Sequence, residues 1–343
     1  MSGLELREAT AERGGFRLGP VTLTVAAGTA TVLLGPSGAG KTTLLRAVAG
    51  FLSLSSGTVW FDREDVGALP PEQRQFGFVP PNLGLLPHRR VEQNVSYPLD
   101  LRGDPDAARK ARGWMERFEL VDLARRYPSE LSSGQRQRVA MARALAAEPR
   151  LLLWDEPLAA LDVESRDGLI RLLRGLIESE RLPLLLVTHD PSTAAALASR
   201  WVVLEQGRVR FDAAPEAISR GRLNRFTARF LGYENLYSPT ELARAEGSSL
   251  APALRAAAGP GGLVVPSNAV RWRAGPGGLH SARVEATRRI SSGWVLALQQ
   301  GSLTFHAAPE RDVPPVRVGD PVSIEIDLDV LKPLEASSPP GAG

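Results

Sequence analysis

One short stretch, Gly35-Pro36-Ser37-Gly38-Ala39-Gly40-Lys41-Thr42, sits between a compact apolar run, Thr29–Leu34, and a segment of helical spacing, Thr42–Ala49. Glycines at such a turn let successive backbone N–H groups point inward around an anion. The helix that follows presents its positive end to the same spot. Gly, four residues, then Gly-Lys-Thr is the spacing that cradles the phosphates of a nucleotide, and its place between strand and helix makes a chance Gly-rich turn a poor explanation. Lys41 is expected to reach the β- and γ-phosphates and the Thr42 hydroxyl to bind Mg²⁺. The expected phosphate contacts are Gly35, Pro36, Ser37, Gly38, Ala39, Gly40, Lys41, Thr42 and Thr43. Alone, the motif specifies a nucleoside triphosphate site and nothing narrower.

Leu151–Trp154 and Leu184–Val187 are short continuous apolar runs, the pattern of strands buried on both faces. Helical patterns lie between and after them, notably Val163–Ile177. This alternation predicts an α/β fold with a parallel sheet covered by helices. Val202–Leu204 and Val209–Phe211 flank a Gln206-Gly207 turn and predict a hairpin that closes this part. Character changes after about Leu231. Gly247–Gly262 is rich in Gly, Ala, Ser and Pro and reads as a separator. Beyond it come only short strand-like runs: Leu263–Pro266, Val270–Arg273, Ala282–Ala286, Val295–Gln299, Leu303–Ala307 and Val322–Leu328. They predict a small β-barrel or sandwich, with Ser337–Gly343 as a disordered tail. A length of 343 residues fits two domains better than one core.

Composition narrows the function classes. With no cysteine there are neither disulfides nor thiolate metal sites. His88, His189, His280 and His306 lack the close spacing of a zinc site. The 41 basic and 38 acidic residues form no dense basic stripe; Arg89-Arg90 and Arg125-Arg126 read as solvated surface, so no nucleic-acid partner is expected. The opening Met1-Ser2-Gly3-Leu4-Glu5-Leu6-Arg7-Glu8 is charged where a signal peptide is apolar. No apolar run reaches the length of about 18 residues that spans a bilayer. Any membrane role has to come through a partner.

More motifs follow the phosphate loop in fixed order: Leu131-Ser132-Ser133-Gly134-Gln135 before the helical run Arg138–Ala147, then Leu151-Leu152-Leu153-Trp154-Asp155-Glu156-Pro157, then Leu161-Asp162, and finally Val187-Thr188-His189-Asp190. Singly, each has an ordinary explanation. Ser-Ser-Gly is a good helix cap, an Asp-Glu pair is usually a solvated turn, and a lone His at a strand end is usually structural. As an ordered set they resemble the ATP-binding cassette (ABC) family over about residues 3–230. The resemblance implies a RecA-like phosphate-loop NTPase core with a helical subdomain at about 82–135, together forming a nucleotide-binding domain over 1–232. It implies ATP and Mg²⁺ as cofactors. By matched position, Asp155 holds the Mg²⁺ together with Thr42, and Glu156 is the general base that orients and activates the attacking water. His189 matches the switch histidine on the γ-phosphate and, with Lys41, completes the catalytic set. Ser132, Ser133, Gly134 and Gln135 form a second anion-binding helix end. In the family this end closes over the ATP of a second subunit, so a homodimer with two nucleotides at its interface is implied. Asp162 matches the residue linking the two sites across that dimer.

The sequence departs from the family at three places. Gly77-Phe78-Val79-Pro80-Pro81-Asn82 aligns with the loop where the family carries a Gln touching Mg²⁺ and the attacking water. Pro81 stands there, with Asn82 adjacent, and a Pro pair stiffens the loop. Ser133 replaces the first of the two usual signature glycines, which matters if that residue needs φ > 0. No tyrosine precedes the phosphate loop to stack on adenine; Arg13 or Phe16 would cover the base instead. No core charge is missing, so an active ABC-type ATPase is expected.

Leu85-Leu86-Pro87-His88 with Val91-Glu92-Gln93-Asn94-Val95 resembles importer cassettes, as does the junction Phe230-Leu231-Gly232-Tyr233-Glu234-Asn235-Leu236. Residues 233–343 resemble the all-β, oligonucleotide-fold-like (OB-like, TOBE) accessory domain of importers for molybdate, sulfate, iron(III), polyamines and sugars, with Val318-Gly319-Asp320-Pro321-Val322 at its end. The segment between Asn82 and Leu131 matches the one that receives a coupling helix of the membrane subunit. The resemblance therefore implies integral membrane permease subunits as partners, an extracytoplasmic substrate-binding protein as an indirect one, and a cytoplasmic place on the inner face of the cell membrane. The expected cargo is an inorganic ion (molybdate, sulfate or iron(III)), with a polyamine or sugar importer, or a weakly active regulatory cassette, as alternatives. A ribosome- or DNA-acting ABC ATPase would carry a second cassette or a long coiled coil; neither occurs. A ligand sensor whose cassette only reports nucleotide state stays open.

Overall fold

The computed structural model describes residues 3–156, 158, 161, 163–219, 223–275, 280–290, 293–308 and 316–336. Asp162, Pro157 and the tail 337–343 lie outside them. The chain forms two compact units, residues 1–215 and 216–343. No helix among the described residues is long and apolar enough to cross a membrane.

In the first unit, β1 (Gly3–Arg13) and β2 (Phe16–Ala26) are followed by β3 (Ala30–Leu34) and α1 (Lys41–Ala49). Next come β4 (Ser56–Phe61), β5 (Glu64–Asp65), the single turn α2 (Pro71–Arg74) and β6 (Phe76–Val79). The helices α3 (Val91–Leu101) and α4 (Ala107–Arg117) fall within residues 82–135, and α5 (Ser133–Ala146) begins at the end of that stretch and runs past it. The unit ends with β7 (Leu151–Asp155), α6 (Val163–Ser179), β8 (Leu184–Val187), α7 (Pro191–Leu197), β9 (Arg200–Glu205) and β10 (Arg208–Ala213). One sheet has the order β10-β9-β3-β8-β7-β6, parallel from β9 through β6, with the predicted β9–β10 hairpin antiparallel at its edge. A second sheet, β2-β1-β4-β5, is antiparallel throughout. Its hairpin, which pairs Gly3 with Ala26 and Arg13 with Phe16, has no counterpart in the sequence reading.

Strand alternation explains how these layers stack. Leu151, Leu153, Leu185 and Val187 share one core with Leu44, Leu45 and Val48 of α1 and with Leu4 and Leu6 of β1. The helix carrying the phosphate loop is therefore packed between the two sheets. Leu152, Trp154, Leu184 and Leu186 are equally buried and point to the opposite face, because side chains alternate along a strand. Continuous apolar runs are what a sheet covered on both sides requires. Asp155 has the parity of Leu151 and Leu153, so the strand itself aims it toward α1.

The second unit contains α8 (Glu216–Ser219), α9 (Arg225–Phe230), β11 (Leu236–Tyr237), α10 (Pro239–Ala243), α11 (Ala251–Ala257) and β12 (Gly262–Val264). They are followed by β13 (Val270–Ala274), β14 (His280–Ile290), β15 (Gly293–Gln300), β16 (Leu303–His306), β17 (Pro321–Ile326) and β18 (Lys332–Leu334). The sheets β11-β12-β18 and β13-β17-β14-β15-β16 are all antiparallel, a small β domain. Two expectations change here. Gly247–Gly262 is not merely a separator: it holds α11, and Leu250 and Leu254 are buried in the core with Leu298 and Phe305. The unit also begins before 233. Leu223 bridges to Leu334 and Arg225 pairs with Glu241 at 3.3 Å, which ties α9 to the β domain.

Candidate nucleotide site

β3 delivers the chain into the loop at Gly35, whose φ of +147° brings the backbone against β9; a Cβ there would lie 2.3 Å from the Leu204 carbonyl oxygen. Gly40, at φ +102°, opens α1 as its cap without any side-chain cap hydrogen bond, and no acidic residue occupies the first turn. The positive helix end is left to an external anion. A Cβ on Gly40 would meet the Phe16 ring at 2.9 Å. Phe16 and Arg13 both line, with Gly38 to Thr43, a cleft of about 320 Å³. Both proposed adenine-covering side chains thus border the phosphate loop. The β9–β10 turn supports the loop from below: Gly207 N–H donates to Ala39 O at 2.9 Å, and Gly19 N–H donates to Gly207 O at 2.8 Å. The sequence marked Gln206-Gly207 only as a hairpin turn. Nothing local to the turn signals that it props a loop so distant in sequence.

Lys41 Nζ donates to Gly35 O at 2.7 Å and Pro36 O at 3.0 Å, bent over its own loop. Burial pulls its pKa down, against the pull of Glu156 and Asp155. Asp155 is fully buried, and neither carboxylate oxygen has a hydrogen-bond partner. Burial raises its pKa; the nearby Thr42 hydroxyl lowers it without reaching hydrogen-bond geometry, and Lys41 and Arg46 add to the lowering. A buried, unpaired carboxylate is costly unless something cationic completes it. Two carboxylate oxygens and a hydroxyl are hard oxygen donors, the kind Mg²⁺ takes. The donor set fits that ion.

Glu156 follows at the end of β7. Its N–H continues the ladder to Val187 O at 3.0 Å, and its φ of +54° turns the chain sharply. A non-glycine residue in this region costs on the order of 1–3 kcal/mol and persists where the surroundings over-determine it. The side chain meets His189, with Oε2 2.8 Å from Nδ1. Next to it, Asp190 caps α7 by accepting from Ser192 and Thr193 N–H.

Ser132 caps α5: its Oγ accepts from Gln135 N–H at 3.2 Å, while Gln135 Oε1 accepts from Ser132 N–H at 2.9 Å. α5 therefore starts at Ser133, not near Arg138. Ser133 is an ordinary first-turn residue and is absent from the positive-φ positions, so its Cβ imposes no backbone strain. Within one chain the cap accounts for Ser132 fully. Asp162 lies outside the described residues. Of the short basic pairs, Arg125-Arg126 is exposed as expected, whereas Arg89 stacks on Tyr97 at 4.7 Å and Arg90 over Tyr127 at 5.8 Å.

A Gly-rich anion cradle on a covered parallel sheet, with an acid pair at the end of β7, one strand beyond the neighbour of β3, defines a phosphate-loop α/β nucleotide-binding protein. The family model described as "ABC transporter" matches residues 18–159. The sulfate/thiosulfate import ATP-binding protein CysA 2 of Rhizobium meliloti is 38% identical over 308 residues, covering 87% of this chain and 83% of that one. The spermidine/putrescine import ATP-binding protein PotA of Nitrosomonas europaea is 43% identical over 239 residues, or 69% of this chain. The chain spans 66% of that relative's length, just under two thirds. Among solved structures, the dimeric ATP-binding cassette MJ0796, in a post-hydrolysis state with ADP and Pi, superposes with a TM-score of 0.56 at 28% identity. It covers 62% of this chain and 98% of its own. The chain belongs to the ABC transporter family and groups with its ATP-binding subunits.

Proposed function

We propose that this chain binds and hydrolyses MgATP as the motor subunit of a membrane importer, in a homodimer whose two nucleotides sit between the copies. The observation that carries the reading is the juxtaposition at the end of β7. Asp155 offers two buried, unpartnered oxygens beside Thr42, and the next residue, Glu156, is aimed and held by His189. Bound there, Mg²⁺ would neutralise charge developing on the phosphates. Lys41 and the α1 helix end bind the phosphate oxygens, and Glu156 takes a proton from the attacking water. The N-terminal end of α5, with Ser132, Ser133, Gly134 and Gln135, closes the partner copy's site. MJ0796, a relative solved as a dimer with the hydrolysis products ADP and Pi, supports this arrangement.

We assign the nucleotide-binding domain to residues 1–215 and the accessory OB-like domain to 216–343, the two compact units of the fold, in place of the boundary at 232 that the cassette motifs imply. Integral permease subunits are the direct partners and an extracytoplasmic binding protein the indirect one, with the chain held on the inner face of the cell membrane. An inorganic oxyanion is the cargo this reading favours, because the relative aligned through most of the second unit is named for sulfate/thiosulfate import. Polyamine import is the second reading, favoured by the 43% identical relative named for spermidine and putrescine.

Mg²⁺-dependent ATP turnover by the purified chain, lost in Glu156→Gln while ATP binding persists, is the test of the site. Full turnover in that variant would remove Glu156 as the base. Uptake of labelled sulfate and labelled spermidine by cells with and without the chain separates the cargoes.

A further inference from the structure

β6 ends at Val79, and the chain then turns through Pro80 and Gly84 before reaching α3. Leu83 N–H folds back to Pro80 O at 2.8 Å, and Leu83 and Gly84 both take positive φ, +62° and +57°. Leucine disfavours that region, so the turn needs support from outside itself. The support comes from α5. Arg143 Nη1 donates to Gly84 O at 2.7 Å and its Nη2 to Leu83 O at 2.8 Å. Burial pushes its pKa down, and no carboxylate is paired with it among the described residues.

The other end of β6 is held in the same way. Arg74, buried, donates through Nη1 to Ala47 O and Val48 O at the end of α1, through Nε to Leu69 O and through Nη2 to Gly67 O. The segments on either side of this four-residue strand are thus each pinned by a guanidinium bonded to backbone carbonyls. One contact ties to the phosphate-loop helix; the other comes from the helix that Ser132 caps. A guanidinium forked across two successive carbonyls fixes direction as well as distance, which a lysine's point charge does not. Pro80 and Pro81, with fixed φ and no N–H, stiffen the same connection.

We propose that Arg143 is a positioning residue that sets the Ser132 end of α5 relative to the chain's own phosphate loop. It does so by locking α5 onto the turn after β6. This rests on the reading above that two copies close around nucleotide. In a site divided between copies, Lys41 binds one ATP while Ser132 reaches the other. The rigid placement of these two helix ends then decides whether both sites can close together.

The test uses the full chain carrying Glu156→Gln, with ATP and Mg²⁺. It reads dimerisation by sedimentation beside the affinity of the monomer for a fluorescent ATP analogue. Arg143→Met is expected to weaken dimerisation by about tenfold or more, the loss of charged hydrogen bonds, while analogue affinity stays within about twofold. Arg143→Lys is expected to fall between. Leu83→Gly, which relieves the turn and keeps both carbonyls for Arg143, is expected to dimerise like the parent. Unchanged dimerisation in a folded Arg143→Met chain overturns the proposal. An equal loss of monomer ATP affinity also overturns it, since that marks general damage to the fold. If the Met variant does not fold, the Lys variant gives the same two readings. A parent chain that itself stays monomeric brings down the dimer reading and this proposal together, a result distinct from a variant losing what the parent retains.

Discussion

Glu156 and His189 meet at 2.8 Å across the ends of two neighbouring parallel strands, β7 and β8. Nδ1 of the imidazole and Oε2 of the carboxylate make the contact. The contact holds Glu156 in a backbone conformation that its residue type disfavours. Reactive geometry here is maintained by the sheet register, which pairs Asp155 with Val187 and so brings both strand ends level.

The glycines of the phosphate loop are not equivalent. Gly38 has φ +79° and open space around its Cβ position, whereas Gly40, at φ +102°, faces Phe16 at 2.9 Å and Leu18 at 3.1 Å. Gly38→Ala is expected to cost about 1–2 kcal/mol, from backbone strain alone. Gly40→Ala adds overpacking and is expected to cost about 2–4 kcal/mol. Urea unfolding of both variants checks the order; equal losses would contradict it.

Asp155→Asn removes a buried charge whose oxygens have no partner. In metal-free buffer the variant is expected to be as stable as the parent, or more stable by up to about 2 kcal/mol. Mg²⁺-dependent turnover should fall by at least about 100-fold. Calorimetry with EDTA, beside a phosphate-release assay, measures both. A large loss of metal-free stability would show that the carboxylate has a structural partner.

Ser132 has two roles that separate by substitution. Ser132→Ala loses the cap on α5 and should cost about 1 kcal/mol. Ser132→Asp keeps a good cap and so should hold its stability, yet it places a negative charge where a phosphate would bind. Sedimentation with ATP in a Glu156→Gln background is expected to show dimers lost in the Asp variant. Dimers as abundant as in the parent would leave Ser132 as a cap and nothing more.

Asp190 gives a pH signature. Burial pushes its carboxyl up, but hydrogen bonds from Ser192 and Thr193 outweigh it and hold the pKa below its ordinary 3.8. The unfolded chain therefore binds this proton more readily than the folded one. The contribution to stability is fully present above the ordinary value and is lost as pH falls through the folded value. Asp190→Ala is expected to cost about 1–2 kcal/mol at neutral pH and progressively less in strong acid. Urea unfolding of both chains at pH 7 and near pH 3 gives the two gaps; equal gaps would remove the ionised cap as the cause.

The motifs were readable in sequence because their chemistry is local. A Gly-Lys-Thr turn must sit between strand and helix, and a carboxylate pair after Leu151–Trp154 must emerge at the C-terminal end of that strand. The β1–β2 hairpin was not readable, since register shifts between Leu6 and Ala11 break the alternation of buried and exposed positions along β1. Helix α11 was hidden inside a Gly-, Ala- and Pro-rich stretch, where burial of Leu250 and Leu254 outweighs weak local preference. The start of α5 at Ser133 was masked because Ser and Gly favour caps and turns over helix interiors.

By itself the sequence determined the order of strand, phosphate loop, helix and acid pair, because each of these depends on residues adjacent in the chain. Only the tertiary structure decided which distant groups share a site. Thr42 faces Asp155 because α1 is packed on the face that strand parity gives to Asp155. His189 reaches Glu156 because β7 and β8 are in register, and Arg143 reaches Leu83 because α5 folds back over the end of β6. Those meetings are set by packing and register, which are properties of the whole fold and of no single segment.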